Sequence, residues 1–191
     1  MARDAVQFAD YGLMLDKPPR VDFAAVLRRT QQVVYQVQEK KQLLSHLDAV
    51  GIETFTGAGN AHFIDPNKVA IRGGQIIHGN RFILCVGGAA RRLNFPGSEH
   101  ALTHSDVWRM EQLPASVAIV GSGATGCQLA SVFSAFGSKV TLLDAAQRVL
   151  ISEDTLVSET VAQQFGKHGI RVVTGIERVV RINGTGKDKQ L

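Results

Sequence analysis

Between residues 22 and 50 the apolar positions Phe23, Val26, Leu27, Val33, Val34, Val37, Leu43, Leu44 and Leu47 recur at threes and fours, with glutamines and lysines between them. That spacing predicts one long amphipathic helix. Asp22 stands where a carboxylate caps the first turn, and Gly51 where a helix stops. Short strand-like stretches follow at 52–56, 61–64, 69–72 and 75–78, separated by Gly57, Gly59, Asp65-Pro66-Asn67 and Gly73-Gly74, so a small β-meander is expected. Phe82, Ile83, Leu84, Cys85 and Val86 form an unbroken apolar run closed by Gly87-Gly88. Such a run predicts a strand covered on both faces of a parallel sheet.

From Val117 the pattern changes to strand, helix, strand, helix, strand, at 117–120, 126–136, 139–143, 157–168 and 171–173. This alternation predicts βαβ units and a parallel sheet, with Leu129, Val132, Phe133 and Phe136 sharing one face of the first helix. The fold class expected is therefore α/β: a partial Rossmann-type domain over residues 116–191, preceded over 1–115 by an incomplete domain made of a long helix and a β-meander. The loop carrying Arg91, Arg92, Pro96-Gly97 and Pro114 reads as the connection between them. Ile182, Asn183, Gly184, Thr185 and Gly186 lead into the charged Lys187-Asp188-Lys189, a hairpin-like turn whose second strand is missing from the chain.

Composition narrows the classes. A chain of 191 residues fits one or two domains, and a net charge of +4 with 20% charged residues favours neither disorder nor a polybasic nucleic-acid binder. The two cysteines, Cys85 and Cys127, have neither zinc-site nor disulfide-framework spacing, which suits a reducing compartment, and each reads as a core thiol. The histidines likewise lack metal-ligand spacing. No apolar run approaches the roughly 18 residues of a membrane helix, and the N-terminus lacks a signal-peptide core. A cytoplasmic protein without nucleic-acid or membrane partners is the expectation.

The strongest chemical signal is Val117-Ala-Ile-Val-Gly121-Ser122-Gly123-Ala124-Thr125-Gly126, a G-x-G-x-x-G between an apolar strand and an amphipathic helix. Gly121 permits the tight turn, Gly123 lets backbone approach a pyrophosphate, and Gly126 lets the helix pack close to the sheet. The helix N-terminus offers N–H groups and a positive dipole end to the phosphates. Asp144 ends the second strand, 18 residues after Gly126, near the spacing of about 20 at which an acid meets an adenosine ribose 2′-hydroxyl. Residues 121–126 with Asp144 and the adjoining Ala145 thus form a candidate site for a nicotinamide dinucleotide. No G-x-x-x-x-G-K-[ST] occurs, which removes the P-loop alternative.

The run Phe82-Ile-Leu-Cys-Val-Gly-Gly-Ala-Ala-Arg-Arg-Leu-Asn-Phe-Pro-Gly97, then Thr103-His-Ser-Asp106, Leu113-Pro114 and the fingerprint, resembles the middle of class I pyridine nucleotide-disulfide oxidoreductases. The closest look is to dihydrolipoamide dehydrogenase-like and mercuric reductase-like flavoproteins, and it covers nearly the whole chain. The resemblance implies that the chain is an internal fragment of an NADH- and FAD-dependent oxidoreductase whose full-length relatives are homodimers. It implies that residues 1–115 belong to the FAD side, with Asn60 and Ala61 near the adenine, Val86 and Gly87 at a strand end beside FAD, and Ser105 on the flavin side. The family's strand-end A-T-G-S stands here as Cys85-Val86-Gly87-Gly88, without the threonine hydroxyl. Its glutamate two residues past the fingerprint is Gln128, which cannot make that glutamate's ion pair.

Three classes remain open at this point: a flavin disulfide reductase fragment, a flavoprotein of the NADH:quinone or ferredoxin reductase kind without a redox disulfide, and a nucleotide-binding module without chemistry. No residue is assigned a catalytic role. NADH is expected over NADPH, because Asp144 would oppose a 2′-phosphate and the strand end that follows offers Arg148 as its one cation.

Overall fold

The computed structural model describes residues 4–15, 17 and 20–184. It divides into two compact units, Gln31–Ala89 and the remainder, built from Met1–Thr30 with Ala90–Leu191. The boundary expected at 115/116 lies within the larger unit. After a 3-10 helix at Asp4–Tyr11, helix α1 spans Phe23–Lys41 and α2 spans Leu43–Ala49. Asp22 caps as expected, its carboxylate accepting the Ala25 N–H at 2.9 Å. The single helix expected over 22–50 is instead broken at Gln42, which takes φ 42° and ψ 40°. Residues 38–42 are all polar, so no apolar stripe runs across the junction at Gln42 to hold the two helices as one, and packing rather than propensity sustains long helices. Gly51, at φ 73°, ends α2. Its N–H reaches the Asp48 carbonyl while that of Ile52 reaches Leu47, the paired bonds of a Schellman stop.

The smaller unit holds an antiparallel meander of β1 (His62–Asp65), β2 (Lys68–Ala70) and β3 (Ile76–His78), in that order. Asp65 makes the first turn by accepting the Asn67 N–H at 2.8 Å, and Gly73 and Gly74 make the second at positive φ. Two expectations fail here. Neither residues 52–56 nor residues 82–86 form a strand. Ile83 and Val86 are 90% and 88% exposed. A strand forms only where a neighbour takes its N–H and C=O groups, and no described segment pairs with this one.

In the larger unit β4 (Ser116–Val120), β5 (Lys139–Leu143) and β6 (Arg171–Val173) make the expected parallel sheet, ordered β4-β5-β6, linked by α3 (Ala124–Ala135) and α4 (Thr155–Lys167). Cys127, Ala130, Phe133, Val140, Leu142, Val149, Phe165 and Ile170 form the core. The inward face of α3 is thus 127/130/133, whereas Val132 is 41% exposed and Phe136 meets Phe23 edge-on at 6.1 Å. Gly126 turns the helix: it must face the sheet at Gly121 and Ile119, which brings Ala130 and Phe133 inward and carries Val132 out. The turn expected at the chain end lies largely outside the described residues.

Candidate nucleotide-binding site

β4 delivers the chain into the glycine loop, and each glycine meets a separate demand. Gly121 sits at φ +104°, where a side chain is strained. A Cβ at Gly126 would lie 1.9 Å from the Gly121 carbonyl oxygen. At Gly123 a Cβ would meet nothing within 4 Å, so the protein's own packing does not require glycine there. The space beside this backbone is open. The Cys127 N–H is the first in α3 to find a carbonyl, that of Gly123. The preceding groups of the first turn, at Ala124, Thr125 and Gly126, are those a helix leaves for an external acceptor. Gly123, Ala124 and Thr125 are exposed.

Asp144 follows the last residue of β5, and its carboxylate is tied back to the loop. Oδ2 accepts the Ser122 N–H and, at 2.6 Å, the Ser122 hydroxyl; Oδ1 accepts the Ala146 N–H at 2.9 Å. Partial burial pushes the Asp144 carboxyl up, but the hydrogen bonds from the Ser122 hydroxyl and from the Ala146, Ser122 and Ala145 N–H groups outweigh it and hold the acid below its ordinary value. An ionised carboxylate therefore stands beside the glycine loop.

The loop after Asp144 is clamped by residues the sequence pattern did not single out. The Leu150 N–H donates to the Ser122 carbonyl at 2.9 Å, and Leu150 itself takes φ 50°. Val149 is buried, and the buried Ser158 hydroxyl of α4 donates to its carbonyl at 2.5 Å. The Arg148 guanidinium donates to the Ile151 and Glu153 carbonyls at 3.1 and 3.0 Å. Its charge is spent on the loop's own backbone. Asp154 caps α4 by accepting the Leu156 N–H. The signals were present in the sequence as an arginine and small polar residues, but their targets are carbonyls, which leave no side-chain pattern.

Two cavities open in the larger unit. One, of about 590 Å³, lies at the carboxyl ends of the strands between Val120, Ala145, Ile176 and Arg178, with Phe95 and Pro96 opposite. The other, of about 1370 Å³, runs past Gly123, Thr125 and Gly126 along β4, bordered by Val107, Met110 and Leu113. Ligands in open α/β sheets bind at this carboxyl edge.

With the loop and the acid hydrogen-bonded together, the wider comparison is decisive: a family model described as pyridine nucleotide-disulphide oxidoreductase matches residues 16–191. The chain belongs to this family. It is 30% identical over 159 residues to a dihydrolipoyl dehydrogenase of Chlamydia pneumoniae, covering 81% of this chain and 33% of that protein. To a mercuric reductase of Bacillus cereus it is 29% identical over 157 residues, covering 81% of this chain and 24% of that protein. Among solved structures it is similar to the HOCl-induced flavoprotein disulfide reductase RclA of Escherichia coli, with a TM-score of 0.73 at 25% identity over 99% of this chain and 41% of that one. The chain thus spans a quarter to two-fifths of the length of these relatives.

The residues carried over for the flavin side are placed differently. Asn60, Ala61, Val86 and Gly87 belong to the smaller unit and are all exposed, with Gly87 at φ +71°. Ser105 belongs to the larger unit, exposed at the start of the 3-10 helix Asp106–Arg109. Of the sequence-derived candidates, the structure brings together Gly121, Ser122, Gly123, Ala124, Thr125, Gly126, Asp144 and Ala145. Gln128, one turn into α3, is exposed. Among the described residues no group of three potential metal ligands occurs, and no helix is long and apolar enough to cross a membrane.

Proposed function

We propose that this chain is the nicotinamide-nucleotide-binding portion of an FAD-dependent oxidoreductase that moves a hydride from NADH to the flavin and onward to a disulfide or other acceptor. The observation that supports this most is the loop in which Gly123, Ala124 and Thr125 present exposed backbone beside an ionised Asp144. Their N–H groups hold the pyrophosphate, assisted by the positive end of α3. Asp144 accepts from the adenosine ribose, and Ala145 leaves room beside it. The bound flavin supplies the redox chemistry, and this chain's residues supply placement and electrostatics. In this reading residues 1–115 serve the flavin through Asn60, Ala61, Val86, Gly87 and Ser105, while 116–191 serve the nicotinamide nucleotide. The whole protein is a cytoplasmic homodimer with no nucleic-acid or membrane partner.

NADH is the preferred nucleotide. Arg148 is committed to backbone carbonyls, so it does not offset a 2′-phosphate placed against Asp144. Like-charge juxtaposition costs several kcal/mol, and about 1.4 kcal/mol is tenfold in affinity. A preference of roughly a hundredfold or more follows. Titrating both reduced nucleotides into the wild-type chain and into Asp144→Ala tests this. Equal affinities in the wild type, or a discrimination untouched by the substitution, would remove Asp144 from the ribose-reading role.

A further inference from the structure

Ser122 occupies the second position of the glycine fingerprint, yet it does not face the ligand side. It is 1% exposed, and every polar group it owns points into the protein. Its N–H and its hydroxyl both donate to Asp144 Oδ2, and its carbonyl accepts from the Leu150 N–H at 2.9 Å and the Cys127 thiol at 3.2 Å. A residue bound in this way has no donor left for a phosphate. Instead, one residue grips Oδ2 with two donors while the Ala146 N–H holds Oδ1, and together these fix the carboxylate plane. That leaves Oδ1, on the side of Ala146, as the oxygen a ribose hydroxyl can reach.

We infer that Ser122 is the positioning residue for nucleotide selection: its buried hydroxyl aims Asp144 at the adenosine 2′-position, so that the carboxylate both accepts the ribose hydroxyl and opposes a 2′-phosphate. The inference rests on the nucleotide-binding reading above. The Ser122 and Ala146 N–H groups each hold one carboxylate oxygen from the backbone; the Ser122 hydroxyl is the side-chain donor in that hold, and it doubles the grip on Oδ2. Without the hydroxyl Oδ2 keeps one donor of two, so the carboxylate is held less firmly and can yield to an incoming 2′-phosphate; NADPH binds better, while the bond to the NADH ribose is less often made. Discrimination falls from both sides. A loss confined to packing would weaken the two nucleotides alike and leave their ratio unchanged.

The test is the ratio of NADPH to NADH dissociation constants for the full 191-residue chain, measured in the wild type, Ser122→Ala, Asp144→Ala and the double variant. Ser122→Ala is expected to lower the ratio about tenfold, the size of a lost hydrogen bond to a charged acceptor, and to have no further effect on the ratio once Asp144 is alanine. Ser122→Gly, which also keeps the N–H and lacks the hydroxyl, gives the same reading if the alanine variant does not fold. A wild-type chain that discriminates and a Ser122→Ala chain with an unchanged ratio would overturn the positioning role while leaving the nucleotide site standing. An equal fall in the double-variant background would also overturn it. A wild-type chain that binds neither nucleotide would overturn the nucleotide-binding reading, and this inference with it.

Discussion

A β-carbon at Gly126 would lie 1.9 Å from the carbonyl oxygen of Gly121, so α3 can sit on the strand that feeds it only while position 126 carries no side chain. The obstructing atom is backbone, which cannot swing aside as a flexible side chain would. Gly126→Ala is therefore expected to cost at least the 1–3 kcal/mol typical of overpacking and to displace the first turn of α3. Thermal unfolding should show a lowered Tm together with lost NADH binding. A variant of wild-type stability would mean that the helix does not need this approach.

Ser158 should stabilise a site from which it is distant in sequence. Its fully buried hydroxyl donates to the Val149 carbonyl, and Ser158→Ala leaves that carbonyl without its donor. The expected loss is about 1–3 kcal/mol, read as a shift in chemical unfolding. Because Val149 precedes the Leu150 N–H bonded to Ser122, NADH affinity should fall as well.

The helix α3, the strands β5 and β6 and the Asp22 cap were legible in the sequence, because each is specified within a dozen residues by apolar period, glycine or a capping carboxylate. What was not legible depends on partners far along the chain. Residues 82–86 carry the composition of a buried strand, but an apolar run records fitness for burial and not the presence of a neighbouring strand. The buried face of α3 was placed only in part, Leu129 and Phe133 packing on the core while Val132 turns outward, for a related reason: Gly126 has no hydrophobicity, yet its contact with Gly121 sets the rotation of the whole helix. Ser122 read as one variable position in a phosphate loop, since nothing local shows that its donors turn inward to a residue beyond the next strand.

Acid should weaken the Asp144 contribution. Its folded pKa lies below the ordinary value of 3.8, because the hydrogen bonds outweigh the effect of burial. The stabilisation from this group is therefore fully present above that value and is lost as pH falls through the depressed folded pKa. The Tm difference between the wild type and Asp144→Asn should be level above about 3.8 and shrink below it. A difference unchanged down to the lowest pH that leaves both folded would contradict the depressed pKa.

The two thiols should react very differently. Cys127 is buried, and burial followed by the nearby Asp144 charge pushes its pKa up, whereas Cys85, expected in the core, is exposed because residues 82–86 form no strand. Since the thiolate is the nucleophile, iodoacetamide near neutral pH should label Cys85 first, as peptide mass spectrometry would show. NADH bound over the loop should leave that pattern unchanged. Preferential labelling of Cys127 would mean that its burial does not persist in solution.

The 191-residue chain contains a single G-x-G-x-x-G and no C-x-x-x-x-C, so by itself it is expected neither to retain FAD nor to reduce a disulfide. Ile83, Leu84 and Val86 are then left open to solvent, and neighbouring exposed apolar residues promote association. Light scattering should report species larger than a monomer, fewer in Ile83→Asp/Val86→Asp. A yellow, strictly monomeric preparation would contradict both parts.

The central claim, that the Gly121–Gly126 loop and Asp144 form the nicotinamide-nucleotide site, is tested most directly by backbone amide NMR during titration with NADH. The largest shift changes are predicted at the N–H groups of Gly123, Ala124 and Thr125, with a second set at Ala145 and Ala146, and NADPH at equal concentration should produce far weaker changes. Saturable binding whose shifts cluster elsewhere, or an absence of changes at these amides under saturating NADH, would contradict the account.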